Sequence, residues 1–462
     1  MKTFLKYKIN VIIILLFGII ITSSSIFADE TNNSTNIINY KDINCNKALI
    51  MDAKNGSVIY SKNGFDKVFP ASTTKVLTAI LAIENLDLQK SVVASSTAIY
   101  ATPEESSSMY IQIGEVLTVK QLLYGLMLPS GNDAANVLAE SVSGDISKFV
   151  ELMNAKSKEI GCTNTHFVNP HGFHDDNHYT TAYDMAKILR YAIQNKTFRE
   201  IIETKYIEIP ATNKTNTVRK LTNTNKLVNK NYKSTYYYEY AIAGKTGFTN
   251  EARGTLVTYG KKDGKEVIVT LFDGTQLLGK EVRYYDAKKL FEYAFNNYSY
   301  NTLLNANSFK FDFFDKNTNK TYTLKLNGDI TSLTSKNKNY IITYNDMLVD
   351  VEKLNTINNN IKIYQDNLEN QIIGSVNIRI KGENLLLENK YNLIIDSVKD
   401  NSTLLEKISN SRNFKLTLLI LLFLIIILLI IVLVKNKKSD KNNYLENKRY
   451  SRIKLKHRGE KF

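Results

Sequence analysis

Residues 69–84 read Phe69-Pro70-Ala71-Ser72-Thr73-Thr74-Lys75-Val76-Leu77-Thr78-Ala79-Ile80-Leu81-Ala82-Ile83-Glu84, and the rest of the chain can be organised around them. Val76, Ala79, Ile80 and Ile83 recur at helix spacing, so a helix is expected to open at Pro70-Ala71-Ser72 and run to about Glu84. On a helix, positions three apart share a face. A hydroxyl at Ser72 and an amine at Lys75 would then stand together at the head of that helix.

Upstream, Ala48 to Met51 and Val58 to Tyr60 are short apolar runs on either side of Asp52-Ala53-Lys54-Asn55-Gly56. That pattern is a β-hairpin with an Asn-Gly turn. Downstream, Val119 to Leu128, Asp133 to Val142, Ile146 to Ile160 and Ala182 to Gln194 have helical periodicity. From Tyr240 the pattern changes to strands at Tyr240 to Lys245, Thr255 to Tyr259 and Val267 to Phe272, closed by a helix from Arg283 to Phe295. A hairpin and late strands with helices between them make an α/β domain, 45–297, with a mostly antiparallel sheet packed by helices. Past residue 300 the composition shifts. Phe309 to Phe313, Tyr322 to Leu326, Tyr340 to Tyr344 and Val376 to Ile380 alternate with Asn/Lys/Gly turns, which reads as a small β-rich domain at 300–400.

The two ends concern topology. Lys2, Lys6 and Lys8 precede an apolar Val11 to Ile21, too short to span a bilayer but suited to a secretory signal at 1–28, followed by a polar leader at 29–44. Leu416 to Val434 is apolar apart from Thr417, between Lys415 and Lys435. At about 1.5 Å per residue it nearly crosses a hydrocarbon core of about 30 Å, and a transmembrane helix is expected at 416–434. The tail at 435–462 holds eleven Lys/Arg against three Asp/Glu, so the positive-inside rule places it in the cytoplasm and the preceding chain outside. Tail and signal account for most of the net charge of +15, and no nucleic-acid partner is needed to explain it. Cys45 and Cys162 are too few for a disulfide framework; they could pair outside the cell or stay as buried thiols.

Three short motifs carry chemistry: Ser72-Thr73-Thr74-Lys75 at the head of a helix, Ser130-Gly131-Asn132 between two helices, and Lys245-Thr246-Gly247 at the end of a strand. Singly each is weak, since Ser335 to Lys338 also fits S-x-x-K and Ser34 and Ser375 also begin S-x-N. Their order and setting carry the weight. A neutral Lys75 is a usable base for Ser72 if burial and a neighbouring cation lower its pKa, and Lys245 in the same cleft would supply the cation. Ser130 can relay a proton to a leaving amine and Asn132 can hold a substrate amide. The backbone N–H groups of Ser72 and Phe248 would form an oxyanion hole. A strand edge at Lys245 lets a peptide add as a further strand.

With Phe69 to Lys75, Leu128-Pro129-Ser130-Gly131-Asn132-Asp133-Ala134-Ala135, Phe167-Val168-Asn169-Pro170-His171-Gly172 and Gly244-Lys245-Thr246-Gly247-Phe248-Thr249 together, residues 45–297 resemble the serine-type D-alanyl-D-alanine carboxypeptidases, the low-molecular-mass penicillin-binding proteins. The resemblance implies a transpeptidase-like α/β fold, acylation of Ser72 with Lys75 as base and Ser130 as relay, and Lys245 as a substrate contact. It also implies Arg283 as partner of the substrate carboxylate, assisted by the hydroxyls of Thr246 and Thr249. The implied substrate is a peptidoglycan stem peptide ending in D-Ala-D-Ala, with β-lactams as covalent inhibitors, no cofactor, and membrane lipid met through the C-terminal helix. Three features depart from the family: Phe173 after His171-Gly172, Ala252-Arg253-Gly254 where small residues are usual, and a true span where an amphipathic helix is common.

His166, His171, His174 and His178 with Asp175 and Asp176 raise the rival of a zinc peptidase. They lie in a Pro/Gly/Asn loop without the helical His pair such enzymes use, so loop packing is the expectation and no metal is assigned. Within the fold, β-lactamase, transpeptidase and endopeptidase are rivals. No Glu-x-x-Leu-Asn follows Ser130, so the deacylating loop of class A β-lactamases is not seen. A catalytically silent wall-binding protein is opposed by intact Ser72, Lys75, Ser130 and Lys245.

Overall fold

A computed structural model describes residues 38–230, 235–277, 279–316, 319–335, 341–349, 372–382, 385–403 and 413–433, with the single residues 411 and 435. The signal at 1–28, most of the leader at 29–44 and the tail beyond residue 435 lie outside them. The chain forms two compact units. The first is drawn from Met1–Phe309, Leu326–Tyr364 and Ile372–Ile394, the second from Lys310–Lys325, Gln365–Gln371 and Ile395–Phe462.

The first unit opens with the hairpin β1 (Lys47–Asp52) and β2 (Val58–Lys62). Gly56, at φ +82°, supplies the left-handed residue that its turn requires. A turn leads into α1 (Lys75–Asn85), and the short strand β3 (Ser91–Val93), α2 (Ser96–Tyr100) and β4 (Val116–Thr118) follow. Then come α3 (Val119–Met127), α4 (Asn132–Ser143), α5 (Ile146–Glu159), α6 (Ala182–Ala192) and α7 (Lys196–Glu203). Local chemistry sets their limits. Thr118 and Gln121 form a capping box on α3, Gly144 at φ +72° ends α4, and Asp145 accepts the N–H groups of Ser147 and Lys148 to start α5.

A small hairpin of β5 (Tyr206–Ile209) and β6 (Arg219–Thr222) precedes β7 (Ala241–Thr249), β8 (Arg253–Lys262) and β9 (Lys265–Gly274). The two-residue pair β10 (Gln276–Leu277) and β11 (Lys280–Glu281) leads to α8 (Val282–Asn297). In the main sheet the order is β2-β1-β9-β8-β7, every neighbour antiparallel. This is the α/β, penicillin-binding-protein-like layout, and it leaves β7 at the end of the strand order. Leu49, Met51, Val76, Leu77, Ile80, Leu122, Leu126, Leu138, Val257 and Ile268 belong to one buried cluster. Each such side chain contributes roughly 1.5–3 kcal/mol by leaving water, which holds the helices and the sheet together.

After α8 come β12 (Ser299–Leu304), β13 (Lys310–Asp315), β14 (Lys320–Leu326), β15 (Ile330–Thr334), β16 (Ile341–Val349), β17 (Ile372–Gly382) and β18 (Leu385–Asp400). In the first unit β12 pairs with β15, β17 pairs with β16 and β18, and β18 touches β2 at the single pair Leu386 and Val58. In the second unit β13 pairs with β14, and Asp396 takes ion pairs from Lys310 and Lys325. The helix α9, Asn413–Leu433, is long and apolar enough to cross a membrane, and none of its span is buried.

Candidate active site

The expected helix start is corrected by one turn. Ala71–Thr74 forms a 3-10 turn and the α-helix begins only at Lys75. In a 3-10 turn side chains three apart eclipse, which aligns Ser72 with Lys75 better than α spacing would: Lys75 Nζ lies 2.9 Å from Ser72 Oγ. Ala71 is held at φ +49°, a costly conformation for a residue with a Cβ. Two threonines pin the residue before it, Thr73 Oγ1 and Thr255 Oγ1 both donating to Pro70 O, at 2.7 and 3.1 Å. Gly172, at φ +84°, sits so close that a Cβ there would come within 1.8 Å of Ala71 O.

Lys75 is fully buried. Besides Ser72 its amine meets Asn132 Oδ1 at 2.6 Å and His171 O at 2.8 Å. Burial pushes its pKa well below the ordinary lysine value, and the positive charge of Lys245 adds to the effect. Asn132 is the first residue of α4, with its own N–H donating to Ser107 O at 2.7 Å. Ser130, two residues earlier, is held at φ +72°, and its buried Oγ has no hydrogen-bond partner among the described residues. Asp133 fixes this corner by accepting from Ser108 Oγ, Met109 N and Ile111 N.

The Lys245-Thr246-Gly247 motif lies inside β7, which continues to Thr249, and not at the strand's end as the sequence suggests. Lys245 is 1% exposed and donates to Thr246 O at 2.9 Å. Burial and the nearby Arg283 guanidinium lower its pKa to about 7. Gly247 packs on Ser72, where a Cβ would come within 2.7 Å of Ser72 N. Phe248 follows, 61% exposed. Thr249 Oγ1 accepts from Ala252 N at 3.0 Å. Arg283 reaches this strand from the first turn of α8. Its Nη1 donates to Gly247 O at 2.6 Å and Thr255 O at 3.2 Å, and Nη2 pairs with Glu281, which also holds Lys226. A small recess lined by Phe248, Gly254, Gly274, Glu281 and Arg283 opens beside it. The structure thus brings Ser72, Lys75, Asn132 and Gly247 into contact, couples Lys245 to Lys75 electrostatically, and ties Arg283 to the Gly247 carbonyl of the same strand.

The histidine loop serves this cleft through its backbone. His171 contributes its carbonyl to Lys75, and Thr78 Oγ1 donates to Pro170 O at 2.5 Å. His178 Nδ1 accepts from Val168 N, which leaves Nε2 to donate to Thr74 Oγ1 at 2.9 Å. Burial lowers the His178 pKa to about 3, so the ring is neutral. Among the described residues, no three His, Cys, Asp or Glu side chains are grouped to hold a metal ion. Cys45 and Cys162 are both free and buried.

Sequence reasoning overlooked Asp133 as an organiser and the whole 223–227 segment. Asp133 had a signal, an acid directly after S-x-N at a helix start; Thr224 had none, because its contacts are all distant in sequence.

The family profile described as D-alanyl-D-alanine carboxypeptidase, peptidase S11, matches residues 32–276. The D-alanyl-D-alanine carboxypeptidase DacF of Bacillus subtilis (strain 168) is 31% identical over 299 residues, covering 63% of this chain and 72% of that protein. Among solved structures, a D-alanyl-D-alanine carboxypeptidase from Mycobacterium tuberculosis H37Rv matches with a TM-score of 0.51 at 32% identity, covering 56% of this chain and 94% of that one. A variant of the Streptomyces K15 DD-transpeptidase matches with a TM-score of 0.50 at 32% identity, covering 55% and 98%.

Proposed function

We propose, for a chain that belongs to the D-alanyl-D-alanine carboxypeptidase family of serine peptidases, that it removes the terminal D-Ala from peptidoglycan stem peptides through an acyl-enzyme on Ser72. The observation that carries this reading is the set of atoms around the Lys75 amine. Two of its three neighbours, Asn132 Oδ1 and His171 O, can only accept; the third, Ser72 Oγ, can also donate. A neutral amine fits them all, giving two N–H groups to the two carbonyls and turning its lone pair to the Ser72 proton. An ammonium would have to spend a proton on Ser72 and could not act as base.

Lys75 takes the Ser72 proton as Oγ attacks the carbonyl between the two D-Ala residues. The N–H groups of Ser72 and Phe248 receive the oxyanion. Asn132, with Oδ1 on Lys75, offers Nδ2 to the substrate amide, and the Ser130 hydroxyl passes a proton to the departing D-Ala amine. The peptide lies along the outer edge of β7 as an added strand. Lys245, Thr246, Thr249 and Arg283 receive its terminal carboxylate, Arg283 through the recess beside Phe248 or by holding Gly247 in place. The chemistry belongs to residues 45–297, and the 300–400 strands are given no step in it. After removal of the 1–28 signal, the 416–434 helix anchors the chain in the membrane with the 435–462 tail in the cytoplasm. No cofactor is assigned.

Labelled penicillin tests the acyl-enzyme. It should mark Ser72, and Ser72→Ala should lose the label while keeping its thermal transition. A label retained in that variant sinks the assignment. Incubation with a peptide ending in D-Ala-D-Ala should release free D-Ala, unchanged by a strong chelator; loss with chelator and recovery with zinc would favour the metallopeptidase rival. Added acceptor amine separates hydrolysis from transfer: a peptidyl-amine formed in preference to the shortened peptide would make the enzyme a transpeptidase.

A further inference from the structure

Residues 223–227, Asn223-Thr224-Asn225-Lys226-Leu227, contain none of the three motifs, yet they pass where the motif-bearing segments meet. Thr224 N donates to Leu128 O at 3.1 Å, two residues before Ser130. The hydroxyl of Tyr284, next to Arg283, donates to Thr224 O at 3.3 Å. Thr224 Oγ1 lies 3.0 Å from Thr246 Oγ1, in the middle of the strand motif. Main chain and side chain of one residue therefore touch the α3–α4 corner, α8 and β7.

The segment is itself fixed. Asn223 N donates to Lys205 O at 2.9 Å, and Asn223 Nδ2 to Thr204 O at 3.0 Å. Asn225 N donates to Asn223 Oδ1 at 2.9 Å, and Leu227 N to Asn225 Oδ1 at 3.1 Å. Asn223 and Asn225 are buried, and these bonds fix the position of Thr224 between them.

We propose that Thr224 is a positioning residue for recognition of the substrate carboxylate, acting through Thr246. The inference rests on the reading of Thr246 as a carboxylate contact. A hydroxyl carries one proton and two lone pairs. Only one proton can lie between Thr224 Oγ1 and Thr246 Oγ1. When Thr224 supplies it, Thr246 keeps its own proton to give to an anion, and accepting one hydrogen bond makes it a better donor of the next. The opposite arrangement turns Thr246 lone pairs toward the anion. A carboxylate beside the Lys245 amine accepts only, so it selects the first arrangement, with the Thr224 oxygen already in place at 3.0 Å.

The chemistry separates cleanly from the scaffold. Thr224→Val removes the hydroxyl at nearly constant shape and leaves both backbone bonds, to Leu128 and from Tyr284, intact. Two peptides ending in D-Ala-D-Ala are compared, one with a free and one with an amidated C-terminus. Thr224→Val should lower kcat/KM for the free-carboxylate peptide about two- to ten-fold, the worth of one neutral hydrogen bond, mainly through KM. The amidated peptide and the thermal transition should not move, and Thr224→Ser should restore the wild-type ratio. The double variant Thr224→Val/Thr246→Val should be no worse than Thr246→Val alone, because the two hydroxyls act as one path. Equal loss on both peptides, or no loss on either, overturns the inference. If Thr246→Val loses the discrimination while Thr224→Val keeps it, this inference falls alone. If Thr246→Val keeps it, the carboxylate role of Thr246 falls and takes the inference with it. Penicillin labelling of Ser72 in each variant reports separately on the acyl-enzyme.

Discussion

Lys75, at the head of α1, and Lys245, inside β7, are both sealed from solvent, but the helical side surrounds its amine with three oxygen atoms and the strand side with one. Among the described residues, Lys245 has only the carbonyl of Thr246 as a hydrogen-bond partner. Burial depresses both pKa values, yet the consequences differ. The first amine already has three oxygen partners, which leaves it no capacity for a new ligand. The second keeps N–H groups in reserve, so an arriving anion would complete its shell and draw it back to the charged form. Equal burial therefore does not mean equal surroundings; the count of oxygen partners around each nitrogen separates a filled hydrogen-bond shell from an open one, and that difference is what the proposed roles of base and carboxylate contact rest on.

The strongest way to break this comparison is Lys75→Met. Loss of a general base costs typically 10²–10⁴-fold, and the second-order rate of penicillin labelling at Ser72 should fall by about that much. A variant within tenfold of wild type would show that Lys75 is not the base. Lys245→Met should instead cost about ten- to a hundred-fold in kcat/KM for a free-carboxylate peptide, the worth of one charge-assisted contact, and much less for the amidated peptide. Arg283→Ala belongs beside it, with a similar loss expected. Since the guanidinium already holds Gly247 O and Glu281, an equal loss on both peptides would mark Arg283 as a brace for β7 and not a carboxylate partner.

A smaller effect appears in the pH dependence of stability. Lys245 has a folded pKa of about 7 against an ordinary 10.5. Between those values the unfolded chain binds a proton that the fold does not, so this group's contribution to stability rises as pH rises from about 7 to 10.5 and is level outside that window. Denaturant midpoints measured across it should rise more steeply, or fall less steeply, in the wild type than in Lys245→Met. An unchanged slope would mean that Lys245 stays charged in the fold. The smallest effect is expected from deleting 413–462. The ectodomain should be released from the membrane with kcat/KM on soluble peptide within about twofold of the full chain, because all three sequence motifs and Arg283 lie before residue 300. A larger change would tie the cleft to the membrane segment.

The hairpin, the long helices and the two lysine motifs were legible because their signals are local: an Asn-Gly turn, apolar residues at helix spacing, alternating strands. The exact setting of Ser72 was not. Nothing in Pro70-Ala71-Ser72 says that Ala71 will turn left-handed, or that Gly172 of a distant loop will pack on its carbonyl. The strands β5 and β6, four residues each, are too short to show alternation. His171 was weighed for its imidazole, yet Lys75 bonds to its carbonyl, a group that every residue carries and that no sequence pattern marks. Thr224 stayed hidden for the same reason: two of its three contacts are made by the main chain.

The two cysteines bear on how this protein can be handled. Both thiols are buried and unpaired, and burial raises the pKa of each well above the ordinary thiol value. A protonated, enclosed thiol reacts slowly with electrophiles. The wild-type chain is therefore a quiet background for maleimide chemistry, and no oxidising compartment is required to form it. One cysteine placed near residue 300 and, in a separate variant, one near residue 455 would each be the sole fast-reacting thiol, so an impermeant maleimide applied to intact cells could read the sidedness of either position without replacing a native cysteine.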